Sequence, residues 1–255
     1  MKVTQREKRA ISLGGTARRP EDVEALINLG LEFAEIPIEN INKFKQNFNK
    51  YLAFLESSRF YFLCHGPKEG DPNDIASLRE AYAPHVVDIL QLMPALGMSL
   101  LTVHLWLHRR FVKPDALDFK IDLLGDIIEK AAEEGITVCL ENLSEDCHDI
   151  AMAFGRLPSL YFTLDVGHAQ LLRGKNLALD ILGSFPDRIK HLHLHDNLGG
   201  NRPADDLHLP PGKGTVDFTA LFEGLRKAGY KGTATLELKP DEIRSCLEFI
   251  RALSF

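Results

Sequence analysis

Short apolar runs alternate with longer amphipathic segments along most of the chain. The apolar runs close on Ile11-Ser12-Leu13, Phe33-Ala34-Glu35-Ile36, Tyr61-Phe62-Leu63-Cys64-His65 and Leu100-Leu101-Thr102-Val103-His104. Four more follow: Thr137–Glu141, Tyr161–Asp165, and residues 189–195 and 234–237. Runs of this length, rich in β-branched and aromatic residues, read as strands. The segments between them carry helical periodicity, clearest at residues 20–29, 73–96, 116–134 and 218–228. Several end on a glycine just before the next strand (Gly30, Gly97, Gly135, Gly229), which suits a left-handed C-cap.

Eight such strand–helix repeats in one chain predict an α/β protein, a (β/α)8 TIM barrel forming a single domain over residues 1–255. An open doubly wound sheet is the alternative. It would place a glycine-rich phosphate turn after an early strand, and Gly14-Gly15-Thr16 does not have the GxGxxG form. One connection is long, residues 197–215, rich in Gly, Pro and Asp. Loops of that length inside a compact domain usually carry function.

Composition narrows the class. A length of 255 residues fits one barrel, and 45% hydrophobic with 26% charged residues is ordinary for a globular protein. No apolar run approaches a membrane span, so no membrane partner is expected. Residues 1–9 are basic but lack the apolar stretch of a signal peptide, so a cytoplasmic location is expected. A net charge of −6 argues against a nucleic-acid partner. Cys64, Cys139, Cys147 and Cys246 form no CxxC pair and read as reduced thiols in packed elements.

The chemistry lies at the strand ends. Strand three ends in His65, strand four in His104, strand five in Glu141 and strand six in Asp165, with His168 three residues on. Strand seven carries His191, His193 and His195, strand eight ends in Glu237, and the long loop adds Asp205, Asp206 and His208. In a barrel, catalytic groups converge at these C-terminal ends. Strand parity turns them toward the mouth together. Burying so many uncompensated polar groups is costly, and a shared cation satisfies them. Imidazole with carboxylate suits one to three divalent ions, Zn²⁺ or Mn²⁺, and no cysteine at a strand end of that parity offers a thiolate. On strand seven the three histidines share a face at different depths. His193 reads as the ligand, His195 as a supporting or substrate-facing group, and His191 as a deeper packed residue. His85 and His148 fall in helical segments and read as ordinary.

At these residues the chain resembles the xylose isomerase-like barrels, which include sugar epimerases and the apurinic endonuclease IV family. The matching motifs are Cys64-His65-Gly66-Pro67, Val103-His104, Leu140-Glu141-Asn142 and Leu164-Asp165-Val166-Gly167-His168-Ala169. They continue with His193-Leu194-His195-Asp196, Asp206-Leu207-His208, Gly212-Lys213-Gly214 and Leu236-Glu237. The resemblance implies that Glu141, Asp165, His193 and Glu237 form the four-ligand metal site of the epimerases. It also implies that His65, His104, His168, Asp206 and His208 match the extra ligands with which endonuclease IV holds three zinc ions. Two departures favour the sugar branch. His65 is followed by Gly66-Pro67-Lys68-Glu69-Gly70-Asp71 with no aromatic, and Asp196 by Asn197-Leu198-Gly199-Gly200 rather than a Ser-Lys pattern.

The expected activity is that of a metal-dependent isomerase or epimerase of a sugar or sugar phosphate. Catalysis would use Glu141 and Glu237 for proton transfer α to a carbonyl through an enediolate. Trp106, His108, His195 and Lys213 are the expected substrate contacts, with Arg109, Arg110 and Arg173 near enough to the mouth to be weighed as phosphate contacts. The competing expectations are metal-assisted phosphodiester hydrolysis at abasic DNA and a non-catalytic sugar- or metal-binding barrel. A homo-oligomer is compatible with the sequence.

Overall fold

A computed structural model describes residues 11–57 and 59–253. The basic segment of residues 1–9 lies outside the described residues. Eight parallel strands close into a barrel in chain order. They are β1 (Ser12–Thr16), β2 (Phe33–Pro37), β3 (Tyr61–His65), β4 (Leu100–Val103), β5 (Thr137–Glu141), β6 (Tyr161–Asp165), β7 (Ile189–Leu194) and β8 (Thr233–Leu236). β1 pairs with both β2 and β8, which seals the ring.

The main helices around it are α1 (Pro20–Asn28), α2 (Ile41–Ser57), α3 (Ala83–Leu92), α4 (Pro114–Glu133), α5 (Cys147–Arg156), α6 (Ala178–Ser184), α7 (Phe218–Lys227) and α8 (Pro240–Leu253). Gly30, Gly97, Gly135 and Gly229 have φ of +70, +62, +69 and +67°, the left-handed caps the sequence calls for. The segment expected as one helix over 73–96 is broken. A short turn at Ile75–Ser77 leads into a widened π-helical turn, Leu78–Tyr82, before α3, and a 3-10 turn, Pro94–Leu96, ends it. Pro84 lacks an amide hydrogen and its ring crowds the carbonyl four residues back, so the regular ladder cannot run through it.

Alternation along each strand sorts the side chains. Outward residues such as Leu13, Ile36, Phe62, Val103, Leu140, Phe162, Leu192 and Leu236 pack against the helices in one large buried cluster. Inward residues differ by depth. Phe33, Leu63, Leu100 and Cys139 plug one end, with Tyr61 and Tyr161 against them. Above this plug the interior is polar and hydrogen-bonded, for example Thr102 Oγ1 to Thr163 Oγ1 at 2.9 Å.

The structure extends β1 past Leu13 through Gly14-Gly15-Thr16. A Cβ on Gly14 would lie 2.4 Å from the ring of Phe33, and one on Gly15 2.7 Å from Ile243 and Leu26. The two glycines therefore let the plug and the helices approach the strand, which explains a glycine pair that forms no phosphate turn. Among the described residues no helix is long and apolar enough to cross a membrane.

Candidate metal centre

Glu141, the last residue of β5, is the hub of the barrel mouth. Its Oε2 lies 2.7 Å from Nε2 of His104, 3.3 Å from Nε2 of His65 and 3.3 Å from Nδ1 of His193. Its Oε1 lies 3.1 Å from Nδ1 of His168. Three different strand ends and the β6 turn thus deliver imidazoles to one carboxylate. Asp165 and Glu237 complete the ring. Nδ1 of His193 stands 3.8 Å from Asp165 Oδ2 and 3.5 Å from Glu237 Oε1.

Backbone contacts set which ring atom each histidine presents. A carbonyl oxygen only accepts, so His65 Nδ1 donates to Gly66 O at 2.8 Å and His168 Nδ1 to Asn142 O at 3.1 Å. Nε2 of His65 then faces Glu141, and Nε2 of His168 faces Asp206 at 3.3 Å. Asp165 is clamped from behind. The Asn142 amide donates to its carbonyl at 2.8 Å and accepts from its N–H at 2.9 Å.

Burial would push the carboxyls up and the imidazoles down, and mutual pairing overrides both. Burial opposes ionisation of Glu141, but His104 and His193 outweigh it and hold the carboxyl well below its usual range. The same balance raises His193 well above its ordinary value, driven by Glu237, Glu35 and Glu141 against burial. It raises His65 to about 9 against burial, chiefly through Glu141.

The donor set can be tested for a cation on the molecule itself. Nδ1 of His193 is buried and makes no hydrogen bond, although three carboxylates surround it. Ligand atoms of Glu141, Asp165, His193 and Glu237 all lie within 4.8 Å of one another. Three carboxylates and one imidazole around an unpartnered nitrogen fit a divalent ion of borderline character. A second group of the same compactness joins His168, His195, Asp206 and His208, and a third joins His65, Glu141 and His193. His208 adopts a left-handed backbone, φ +44°, and its Nε2 lies 3.1 Å from Asp206 Oδ2. A non-glycine residue held there marks a geometry its surroundings enforce.

A cavity of about 930 Å³ opens above these groups, bordered by His65, His104, Trp106, Asp206 and Glu237, with Glu35 reaching it from below. Trp106 is fixed from several sides. Its Nε1 donates to Ser144 Oγ at 2.8 Å, its N–H to Glu69 Oε1 at 2.8 Å, and its ring stacks on Phe111.

The other expected substrate contacts do not border the cavity. His195 is fully buried, its Nε2 2.9 Å from Asp165 Oδ1 and its ring stacked on His208 at 3.9 Å, so it packs behind these two residues and does not line the cavity. His108 is buried and takes a hydrogen bond from Arg173 at 3.1 Å. Burial first, then the Arg173 charge, lowers its pKa. Arg173 also donates to Ser144 O, Arg109 is held by Asp149 at 2.6 Å, and neither arginine borders the cavity. Lys213 is exposed on a turn whose amides serve Asp196.

Sequence reasoning missed Glu35. It lies in β2 with 1% exposure, and its Oε2 is 2.9 Å from Nε2 of His193. The available signal is a charged residue in the middle of an apolar strand, on the inward parity of Phe33.

With this geometry in hand, the chain belongs to the xylose isomerase-like TIM barrel family, which it matches over residues 23–253. It is similar to the inosose dehydratase of Histophilus somni, 26% identical over 136 residues, 46% of this chain and 46% of the relative. The chain spans less than half the length of most of the curated relatives it matches. Solved structures that share the fold include two similar barrels. A D-tagatose 3-epimerase-like protein aligns with a TM-score of 0.77 at 20% identity, covering 95% of this chain and 99% of that one. The zinc-bearing IolI protein aligns with a TM-score of 0.76 at 12% identity, covering 96% of each.

Proposed function

We propose that the chain is a divalent-metal-dependent isomerase or epimerase acting on a sugar or sugar phosphate. One observation carries the reading: an unpartnered, buried His193 Nδ1 ringed by Glu141, Asp165 and Glu237 at the floor of a cavity walled by Trp106. The names of the related proteins, inosose dehydratase and D-tagatose 3-epimerase-like protein, point to polyol and ketose substrates.

Glu141, Asp165, His193 and Glu237 would hold the metal. When bound, it polarises the carbonyl of the sugar and acidifies the adjacent C–H. Glu141 and Glu237 come from β5 and the end of β8, far apart around the ring, and reach the centre from different sides. One carboxylate takes the proton from the carbon α to the carbonyl, leaving an enediolate, and the other returns a proton to it. Return to the other face of the same carbon gives an epimer, and return to the neighbouring carbon gives an isomer. His104 and His65 hold Glu141 in place, and Trp106 offers an apolar wall to one face of the sugar.

The test is solvent exchange. Purified protein loaded with Mn²⁺ or Zn²⁺ is incubated with a panel of ketoses and ketose phosphates in D₂O. Deuterium entering α to the carbonyl supports the reading, and Glu237→Gln should abolish it while the barrel stays folded. No exchange with any sugar, together with cleavage of an oligonucleotide carrying an abasic site, would replace the reading with a phosphodiesterase. The compact His168, His195, Asp206 and His208 group makes that second outcome worth measuring.

A further inference from the structure

We propose that Glu35 is a positioning residue that fixes which nitrogen His193 presents to the metal. The inference rests on reading Glu141, Asp165, His193 and Glu237 as the ligand set. Glu35 belongs to β2, a strand that contributes none of those ligands, and its side chain sits below the mouth with 1% exposure.

Glu35 Oε2 lies 2.9 Å from Nε2 of His193 and 3.3 Å from Nε2 of His191. An ionised carboxylate only accepts, so Nε2 of His193 carries the hydrogen. A neutral ring then has its lone pair on Nδ1, the atom that stands among Glu141, Asp165 and Glu237. A carboxylate behind a ligating imidazole sets both tautomer and ring plane. His191 is already engaged by Thr233 Oγ1 at 2.6 Å and Thr235 Oγ1 at 3.0 Å, and it holds the Glu35 carboxylate from below.

Plain packing does not account for this carboxyl. Its other oxygen, Oε1, is buried with no hydrogen-bond partner. Leaving a buried acceptor unsatisfied costs free energy. Three other strands, β4, β6 and β8, fill the interior with threonines, Thr102, Thr163 and Thr235, all fully buried. A threonine there would not reach across the barrel to His193 with a full negative charge.

The experiment has two arms, neither of which uses a sugar. In the first, wild-type protein with nitrogen-labelled histidine is loaded with Zn²⁺, and the ring nitrogens of His193 are read by long-range proton–nitrogen correlation. A protonated Nε2 with a metal-shifted Nδ1 is expected; a protonated Nδ1 overturns the inference whatever any variant does. In the second, Zn²⁺ affinity is titrated for E35L and E35Q, with folding checked by circular dichroism. E35L should bind about 10- to 100-fold more weakly, while E35Q, whose amide oxygen still accepts, should stay near wild type. Equal affinity in folded E35L and wild type would also overturn it. A wild type that binds no divalent ion sinks the ligand reading and this inference with it, an outcome distinct from equal binding by both proteins.

Discussion

Asp196 accepts a hydrogen bond from the amide of Gly214 at 2.8 Å, across the whole of the long loop after β7. The same carboxylate takes the amides of Gly212, Asn197 and Val216 at 2.9, 2.9 and 3.0 Å, and it is fully buried. Four backbone donors thus stand in for water around one charge. The loop they tie down carries Asp206 and His208. A Cβ on Gly214 would lie 2.4 Å from Asn197 O and from Asp196 Oδ1, so no other residue allows the approach. Asp196→Ala and Gly214→Ala should each lower stability by roughly 3 kcal/mol or more, since charged hydrogen bonds are lost or strained. Hydrogen exchange over residues 197–216 should rise well before the rest of the barrel. A denaturation midpoint unchanged in Asp196→Ala would contradict this account of the loop.

Lys120 is fully buried and pairs with Glu69 at 2.7 Å while donating to Trp106 O at 2.8 Å. Removing one member leaves the other charge largely buried without its partner. Lys120→Met should therefore destabilise by about 3–5 kcal/mol. The double change Lys120→Met with Glu69→Leu should cost distinctly less, because no orphan charge remains. Urea unfolding of the two variants distinguishes them. Equal losses would mean that the pair acts only through its packing.

The barrel and the mouth were legible in the sequence for one reason: strand ends are where a period-two apolar pattern stops. His65, His104, Glu141, Asp165 and Glu237 each close an apolar run, so their meeting follows once the ring closes. Glu35 escaped because it interrupts β2 instead of ending it, and its partner His193 lies 158 residues away in sequence. His108, Arg109 and Arg173 sit close to the mouth in sequence, but the capping cluster of Asp146 and Asp149 at the start of α5 draws Arg109 and Arg173 away. Such competition for a cation is decided by tertiary contacts that no local pattern records. The fold of the 197–215 loop around Asp196 was hidden for the same reason, although both ends of it, His195-Asp196 and Gly212-Lys213-Gly214, stood out as motifs.

The metal-free protein should lose stability on the alkaline side. His65 is raised from 6.5 to about 9, through pairing with Glu141 that overcomes its burial; Glu35 and Glu237 act in the same direction. A group whose folded pKa is raised contributes fully below its unfolded value and loses that contribution as pH rises through the folded one. The window is therefore from about 6.5 to about 9. Thermal unfolding in chelator should show a falling midpoint across it. Protein loaded with Zn²⁺ should show the reverse trend over the lower part of that window, because the metal and the protons compete for the same lone pairs. A chelated midpoint that rises from pH 7 to 9 would contradict the pairing of His65 with Glu141.

Trp106 is the only tryptophan in the chain, and it borders the cavity. Its emission should therefore report on ligands directly. The ring is held by Ser144, by Phe111 and, through its backbone, by Glu69 and Lys120, so the wall is formed before anything binds. Saturable quenching or shift of the emission is expected with a sugar ligand in the presence of the metal, at the concentration where turnover saturates. Trp106→Ala removes most of the apolar face, worth on the order of 1–2 kcal/mol for a partly covered ring. On the proposed function it should raise KM about tenfold while changing kcat little, as expected of a wall that binds the sugar away from the carbon that exchanges its proton. A variant that keeps its KM and loses kcat would instead place Trp106 at the reacting carbon. Emission that ignores every sugar that undergoes exchange would put the substrate elsewhere in the cavity.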